Sequence, residues 1–171
     1  MPQVADGGEF TTSITLVNPS PSAATASLRF RRNKQDGSYS TEDWTPGIAS
    51  GQSLNSIQIP AKSVVTVETL GAAAETSSGW VEVTGPSELG GFAVFRQTRP
   101  AGGVQEATVP MSGAGSARVA LPFDNISGWV TSFAAINRTY SASLGGWNGA
   151  TVTAEEQGVA AVRDAVLAAM N

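Results

Sequence analysis

The nine residues Phe10-Thr11-Thr12-Ser13-Ile14-Thr15-Leu16-Val17-Asn18 decide the fold class. In an extended chain Ile14 and Leu16 fall on one face, Ser13 and Thr15 on the other. This period of two in β-branched residues is the signature of a half-buried strand. Asn18-Pro19-Ser20-Pro21-Ser22 cannot continue it, because proline has no backbone donor and restricts the residue before it. From Ala24 to Arg32 the alternation resumes, with Ala26, Leu28 and Phe30 on one face and Arg29 and Arg31 on the other. The two segments are expected to form an antiparallel pair joined by the five-residue loop between them.

Working outward, the same pattern recurs in short pieces separated by turn residues. Ile57 to Ile59 is a short strand stopped by Pro60, and Val64 to Leu70 is a β-branched run with Val65 and Val67 on one face. Trp80 to Thr84 and Phe92 to Thr98 flank a Gly- and Pro-bearing loop and are expected to form a hairpin. Asp36-Gly37 is a second hairpin signal. Val104 to Val109 and Arg118 to Leu121 are shorter candidates. Trp80 and Trp129, both following Ser-Gly and preceding Val, are expected as core anchors. The spacing therefore predicts an all-β protein, a mostly antiparallel β-sandwich, because half-buried strands need a facing sheet.

Two features depart from that regularity. Trp129-Val130-Thr131-Ser132-Phe133-Ala134-Ala135-Ile136-Asn137 repeats the pattern of Phe10 to Asn18, so a partial second repeat begins at about 120. Thr153-Ala154-Glu155-Glu156 is a capping box, followed by Val159, Val162, Val166 and Met170 at helical spacing. One C-terminal helix is expected there. The domain reading is a β-sandwich over 1–137 and a loop with an amphipathic helix over 138–171.

Composition narrows the function classes. Hydrophobic residues make up 41% of the 171 and charged residues 14%, which argues against disorder and against a coiled coil. Histidine and cysteine are absent, which removes Ser-His-Asp and Cys-His catalysis, thiol chemistry and nearly every transition-metal site. The net charge of −4 argues against nucleic acid as a partner. Arg29, Arg31, Arg32 and Lys34 cluster and are expected as a solvated strand face. No apolar run reaches membrane-spanning length, and Met1-Pro2-Gln3-Val4 does not read as a signal peptide.

The motifs ADGGEFTTSITLVNP (Ala5 to Pro19), IPA (Ile59 to Ala61), GWVEV (Gly79 to Val83), GGFAVFRQ (Gly90 to Gln97), EATVP (Glu106 to Pro110) and LPFDN (Leu121 to Asn125) together resemble a β-rich repeat of secreted and surface proteins of soil bacteria. The resemblance covers about Val4 to Asn137. It implies an immunoglobulin-like antiparallel β-sandwich and an extracellular or cell-surface location, and it assigns no activity and no site residues.

Candidate site residues follow from chemistry. Tyr39, Trp44, Tyr140 and Trp147 lie in polar, Gly-rich surroundings, where a ring either plugs the end of a sandwich or stacks on a sugar. Arg96, inside an apolar strand, is expected to be partly buried and paired with Glu82 or Glu106, since an unpaired buried charge is costly. Asp6, Asp36, Asp43, Asp124 and Asn125 are hard oxygen donors, but they form no calcium motif and read as turn-forming side chains. No metal and no cofactor are expected. The leading reading is a non-catalytic extracellular module, a spacer, adhesion or protein-interaction domain. Its partner is a protein or a polysaccharide at the cell exterior, or a second copy through the C-terminal helix. The alternatives are a carbohydrate-binding module using the four rings and, least favoured, a glycoside hydrolase using a carboxylate pair.

Overall fold

The computed structural model describes residues 1, 3–34, 41–113, 140–141 and 146–147. The chain divides into two compact units, Met1–Arg32 with Glu42–Gly115, and Asn33–Thr41 with Ser116–Asn171. The expected C-terminal helix, the strand at Arg118, the second repeat, the Asp36-Gly37 turn and Trp129 all lie outside the described residues. Every described element is a strand: β1 (Val4–Asp6), β2 (Phe10–Asn18), β3 (Ala24–Asn33), β4 (Thr41–Asp43), β5 (Ile57–Ile59), β6 (Ser63–Glu68), β7 (Ser77–Thr84), β8 (Gly90–Thr98), β9 (Val104–Pro110), β10 (Tyr140–Ser141) and β11 (Gly146–Trp147).

The strands of the first unit form two antiparallel sheets. One has the order β6-β2-β8-β9; the other runs β1-β7-β3-β4, with β5 also on β3. Alternation explains which side chains meet between them. Ile14, Leu16, Val67 and Ala93 come from the four-stranded sheet, and Val4, Ala26, Leu28, Phe30, Ile57, Ile59 and Val81 from the five-stranded one. All are buried in one hydrophobic cluster, a sandwich-like arrangement in which each sheet covers the other's apolar face.

Three expectations are corrected. The β2 and β3 segments are not paired with each other: β2 lies between β6 and β8, while β3 lies between β7 and β5. The Pro-rich loop between them crosses from one sheet to the other. The loop from β7 to β8 is likewise a crossing and not a hairpin, and it carries Leu89 into the core at 7% exposure. Alternation reports which face a residue takes, but not which strand lies alongside. Trp80 is half-buried on the outer face of β7, one position out of phase with buried Val81, and is not a core anchor.

The β1–β2 connection is a tight turn in which Gly7 and Phe10 exchange backbone bonds of 3.0 and 2.9 Å. Its central residues, Gly8 and Glu9, both have positive φ, 52° and 79°. Such a turn suits glycine, whereas a side chain there is crowded against its own backbone. Glu9 is exposed, so Glu9→Gly removes that crowding at no cost in contacts. We expect a gain of about 0.5–1 kcal/mol, the left-handed penalty less the added entropy of glycine, read as a higher midpoint in urea at unchanged slope.

Candidate functional site

The outer face of the four-stranded sheet is assembled by register. Val17 stands opposite Val64 and Gly90; Thr15 opposite Thr66 and Phe92; Ser13 opposite Glu68 and Val94. Beyond β8, Pro110 follows Phe92 and Thr108 follows Val94. Because Ile14 and Leu16 are fully buried on the inner face, these residues all lie on the outer one. Two complete rows, from Val64 to Gly90 and from Thr66 to Pro110, carry no charge. Val64 is 57% exposed and Phe92 39%. The hydroxyls of Thr15 and Thr66 bond to each other at 3.0 Å, and Ser13 donates to Glu68 at 3.1 Å. The face presents methyls, hydroxyls and one aromatic ring.

Charge on this face begins one row beyond Thr15: Glu68 stands beside Ser13, and Arg96 and Glu106 follow in the next row. Arg96 Nε donates to Glu106 Oε1 at 2.7 Å, and the guanidinium NH2 lies 2.6 Å from the same oxygen. Arg96 is 57% exposed, which corrects the expectation of partial burial: the strand is apolar on its inner face, and Arg96 is on the other. Glu82 stands in register with Arg29 on the opposite sheet, away from Arg96.

The outer face of the five-stranded sheet is different in kind. Arg29 grips Asp43 through two bonds, Nε to Oδ1 at 2.9 Å and NH2 to Oδ2 at 2.8 Å. Arg31 Nε lies 3.7 Å from Asp43 Oδ1. On the other side of β3, in phase with Leu28 and Phe30, Arg32 donates to Glu42 at 2.7 Å and to Ser77 at 3.0 Å. The arginine cluster is thus matched by carboxylates brought alongside by β4. Hydrogen bonding from Arg29 holds the Asp43 carboxyl below the ordinary Asp range, and the same bond raises Arg29. A lowered carboxyl stabilises the fold above its unfolded value and loses that contribution as pH falls through the lowered one. Both groups are exposed, so salt screens the effect.

The aromatic candidates separate. Trp44 is half-buried and packs edge-on against Phe30, with centroids 5.8 Å apart and planes at 81°. The Trp44 backbone amide donates to the Phe30 carbonyl at 3.0 Å, which anchors this residue to β3. In the second unit, Tyr140 and Trp147 are cross-strand partners in the β10–β11 ladder. Tyr39 lies outside the described residues. Of the oxygen donors, Asp6 accepts from the Gly71 amide at 2.8 Å and Asp43 is held by arginine; Asp36, Asp124 and Asn125 lie outside the described residues.

One polar residue that sequence reasoning treated only as a strand stop is central to the architecture. Asn18 is 1% exposed, and its amide nitrogen donates to the carbonyls of Ser22, Ile59 and Pro60 at 2.8, 3.2 and 3.1 Å. Its oxygen accepts from Ser20 N at 3.0 Å. The Asn-Pro step was the available signal, since Asn bonds readily to nearby backbone. The chain matches no protein-family model, no curated protein and no solved structure at a significant level.

Proposed function

We propose that this chain is a non-catalytic extracellular module, an immunoglobulin-like β-sandwich that serves as a spacer, adhesion or protein-interaction domain. The pairing pattern supports the fold reading. β2 pairs with β6 in one sheet and β3 with β7 in the other, as the B–E and C–F pairs do in immunoglobulin sandwiches. The observation that carries the functional reading is the pair of uncharged rows on the outer face, the one through Val17 and the one through Thr15 and Phe92. A flat array of hydroxyls and methyls suits contact with a neutral partner surface, protein or polysaccharide, in which no ion must be desolvated.

The test is retention of the labelled chain on isolated bacterial cell walls. Wild type is expected to bind, and Phe92→Lys and Thr15→Lys to weaken binding at least tenfold with unchanged melting temperature. Equal binding by all three excludes this face. The second reading, a carbohydrate-binding module, is favoured by the Tyr140–Trp147 pairing. It requires quenching of tryptophan fluorescence by oligosaccharide that is lost in Trp147→Ala. Hydrolysis of a glycoside or ester that vanishes in Glu82→Gln or Glu106→Gln would overturn the non-catalytic reading.

A further inference from the structure

β9 is an edge. Among the described residues it pairs only with β8, and all of its residues except half-buried Val109 are exposed. Which backbone groups face the open side follows from the ladder. Arg99 N donates to Gly103 O at 3.1 Å, and Met111 N donates to Gly91 O at 2.9 Å. In an antiparallel pair bonded positions alternate, so Gln105, Ala107 and Val109 also bond toward β8. Val104, Glu106, Thr108 and Pro110 therefore direct their backbone groups outward. Pro110, which has no N–H to offer, sits at the end of that row, where an edge strand tolerates it.

Edge strands ordinarily discourage pairing with charge. Here the only charge on β9 is Glu106, and Arg96 of the adjacent strand already neutralises it. On the inner face Ala107 is exposed and its neighbour Phe95 only half-buried, so an apolar strip runs out to the edge.

We propose that β9 is a self-pairing edge: two copies of this chain join antiparallel through β9 and continue the four-stranded sheet into one of eight strands. Parity and charge select the register. Bonded partners must both come from the outward set, so the two-fold axis passes through Glu106, Ala107 or Thr108. An axis at Glu106 sets that carboxylate directly against its own copy, which is unfavourable. An axis at Thr108 sets Glu106 against Pro110 and loses overlap. An axis at Ala107 overlaps all seven residues, pairs Glu106 with Thr108 and Val104 with Pro110, and makes the strip Phe95-Ala107 continuous with its symmetry mate. The contact is isologous, as a two-fold dimer requires. It is also small, so dissociation in the micromolar range is expected.

The test uses the full chain, which has no cysteine of its own. Light scattering should show mass rising with concentration from 17.5 kDa toward twice that value. Ala107→Cys should form a disulfide-linked dimer on mild oxidation. Cα atoms directly opposite at a non-bonded antiparallel position are about 4.5 Å apart, within disulfide range. Gln105→Cys should link to Val109→Cys in a mixture but not to itself. Thr108→Pro removes an outward donor without touching the β8 ladder and should leave a folded monomer. A wild type that stays monomeric into the millimolar range overturns the proposal. So does a dimer that survives Thr108→Pro, or self-linking of Gln105→Cys in preference to Ala107→Cys. None of these results depends on what the Thr15–Phe92 face binds.

Discussion

Asn18→Ala is expected to destabilise the fold by about 2–4 kcal/mol, since it removes a buried amide that makes four hydrogen bonds, one to the buried Ile59 carbonyl and three to part-buried backbone groups. The side chain joins the end of β2 to the loop that crosses between sheets, through Ser20 and Ser22, and to the end of β5, through Ile59 and Pro60. Alanine leaves these partners in place with no donor or acceptor facing them. The melting temperature should fall by roughly 4–16 °C at this chain length. Asn18→Asp sharpens the test. Its oxygen can still accept from Ser20, but an ionised carboxylate would face carbonyl oxygens in a buried site. Burial and those oxygens both favour the protonated acid, so its folded pKa should stand above the unfolded value of about 3.9. A raised acid loses stability as pH rises through and above the unfolded value. Asn18→Asp should therefore lie closer to wild type at pH 4 than at pH 7. An Asn18→Ala protein within 1 kcal/mol of wild type, or an Asn18→Asp protein with the opposite pH trend, would show that the amide is not a clamp.

What could be read from the residues, and what could not, divides along a physical line. The phase of each strand was legible: Ile14 and Leu16, Ala26, Leu28 and Phe30, Val65 and Val67 all face inward or pack against the core as alternation requires. Partnership between strands was not, because it is decided by contacts distant in sequence. The segments on either side of Pro19-Ser20-Pro21-Ser22 look like the arms of a hairpin, yet they belong to opposite sheets. Arg96 shows the cost of reading composition without phase. It sits among Phe92, Val94 and Phe95, but its parity matches Phe92 and Val94 on the outer face, where Glu106 meets it in open solvent. Trp80 repeats the lesson, since Val81 and Val83 already fix its face as the outer one. The outer face itself was legible only in part. Ser13 and Thr15 were placed there by alternation, but the uncharged rows appear only once β6, β8 and β9 are set beside β2 in register.

Phe30→Ala should be the costliest single truncation in the core, at about 3–5 kcal/mol, because it removes the largest of the fully buried side chains and leaves a cavity between two sheets that cannot close over it. Its effect reaches Trp44. The indole packs on the core cluster and meets the Phe30 ring edge-on, so part of the loss belongs to that pair and not to burial alone. A double-mutant cycle of Phe30→Ala with Trp44→Ala isolates it. The coupling should be about 0.5–1.5 kcal/mol, the ordinary value for a T-shaped aromatic pair. Trp44→Ala by itself should also cost stability, by about 2–3 kcal/mol, since a half-buried ring gives up part of its apolar area. These values separate two roles for the indole. A ring that seals the margin of the core couples to Phe30 and tolerates no truncation. A ring held out for a sugar couples weakly, and its loss is felt in binding and hardly in unfolding. The edge-on contact and the backbone bond from Trp44 to Phe30 favour the seal. Coupling below 0.3 kcal/mol together with a Trp44→Ala cost below 0.5 kcal/mol would return Trp44 to the set of binding candidates with Tyr140 and Trp147.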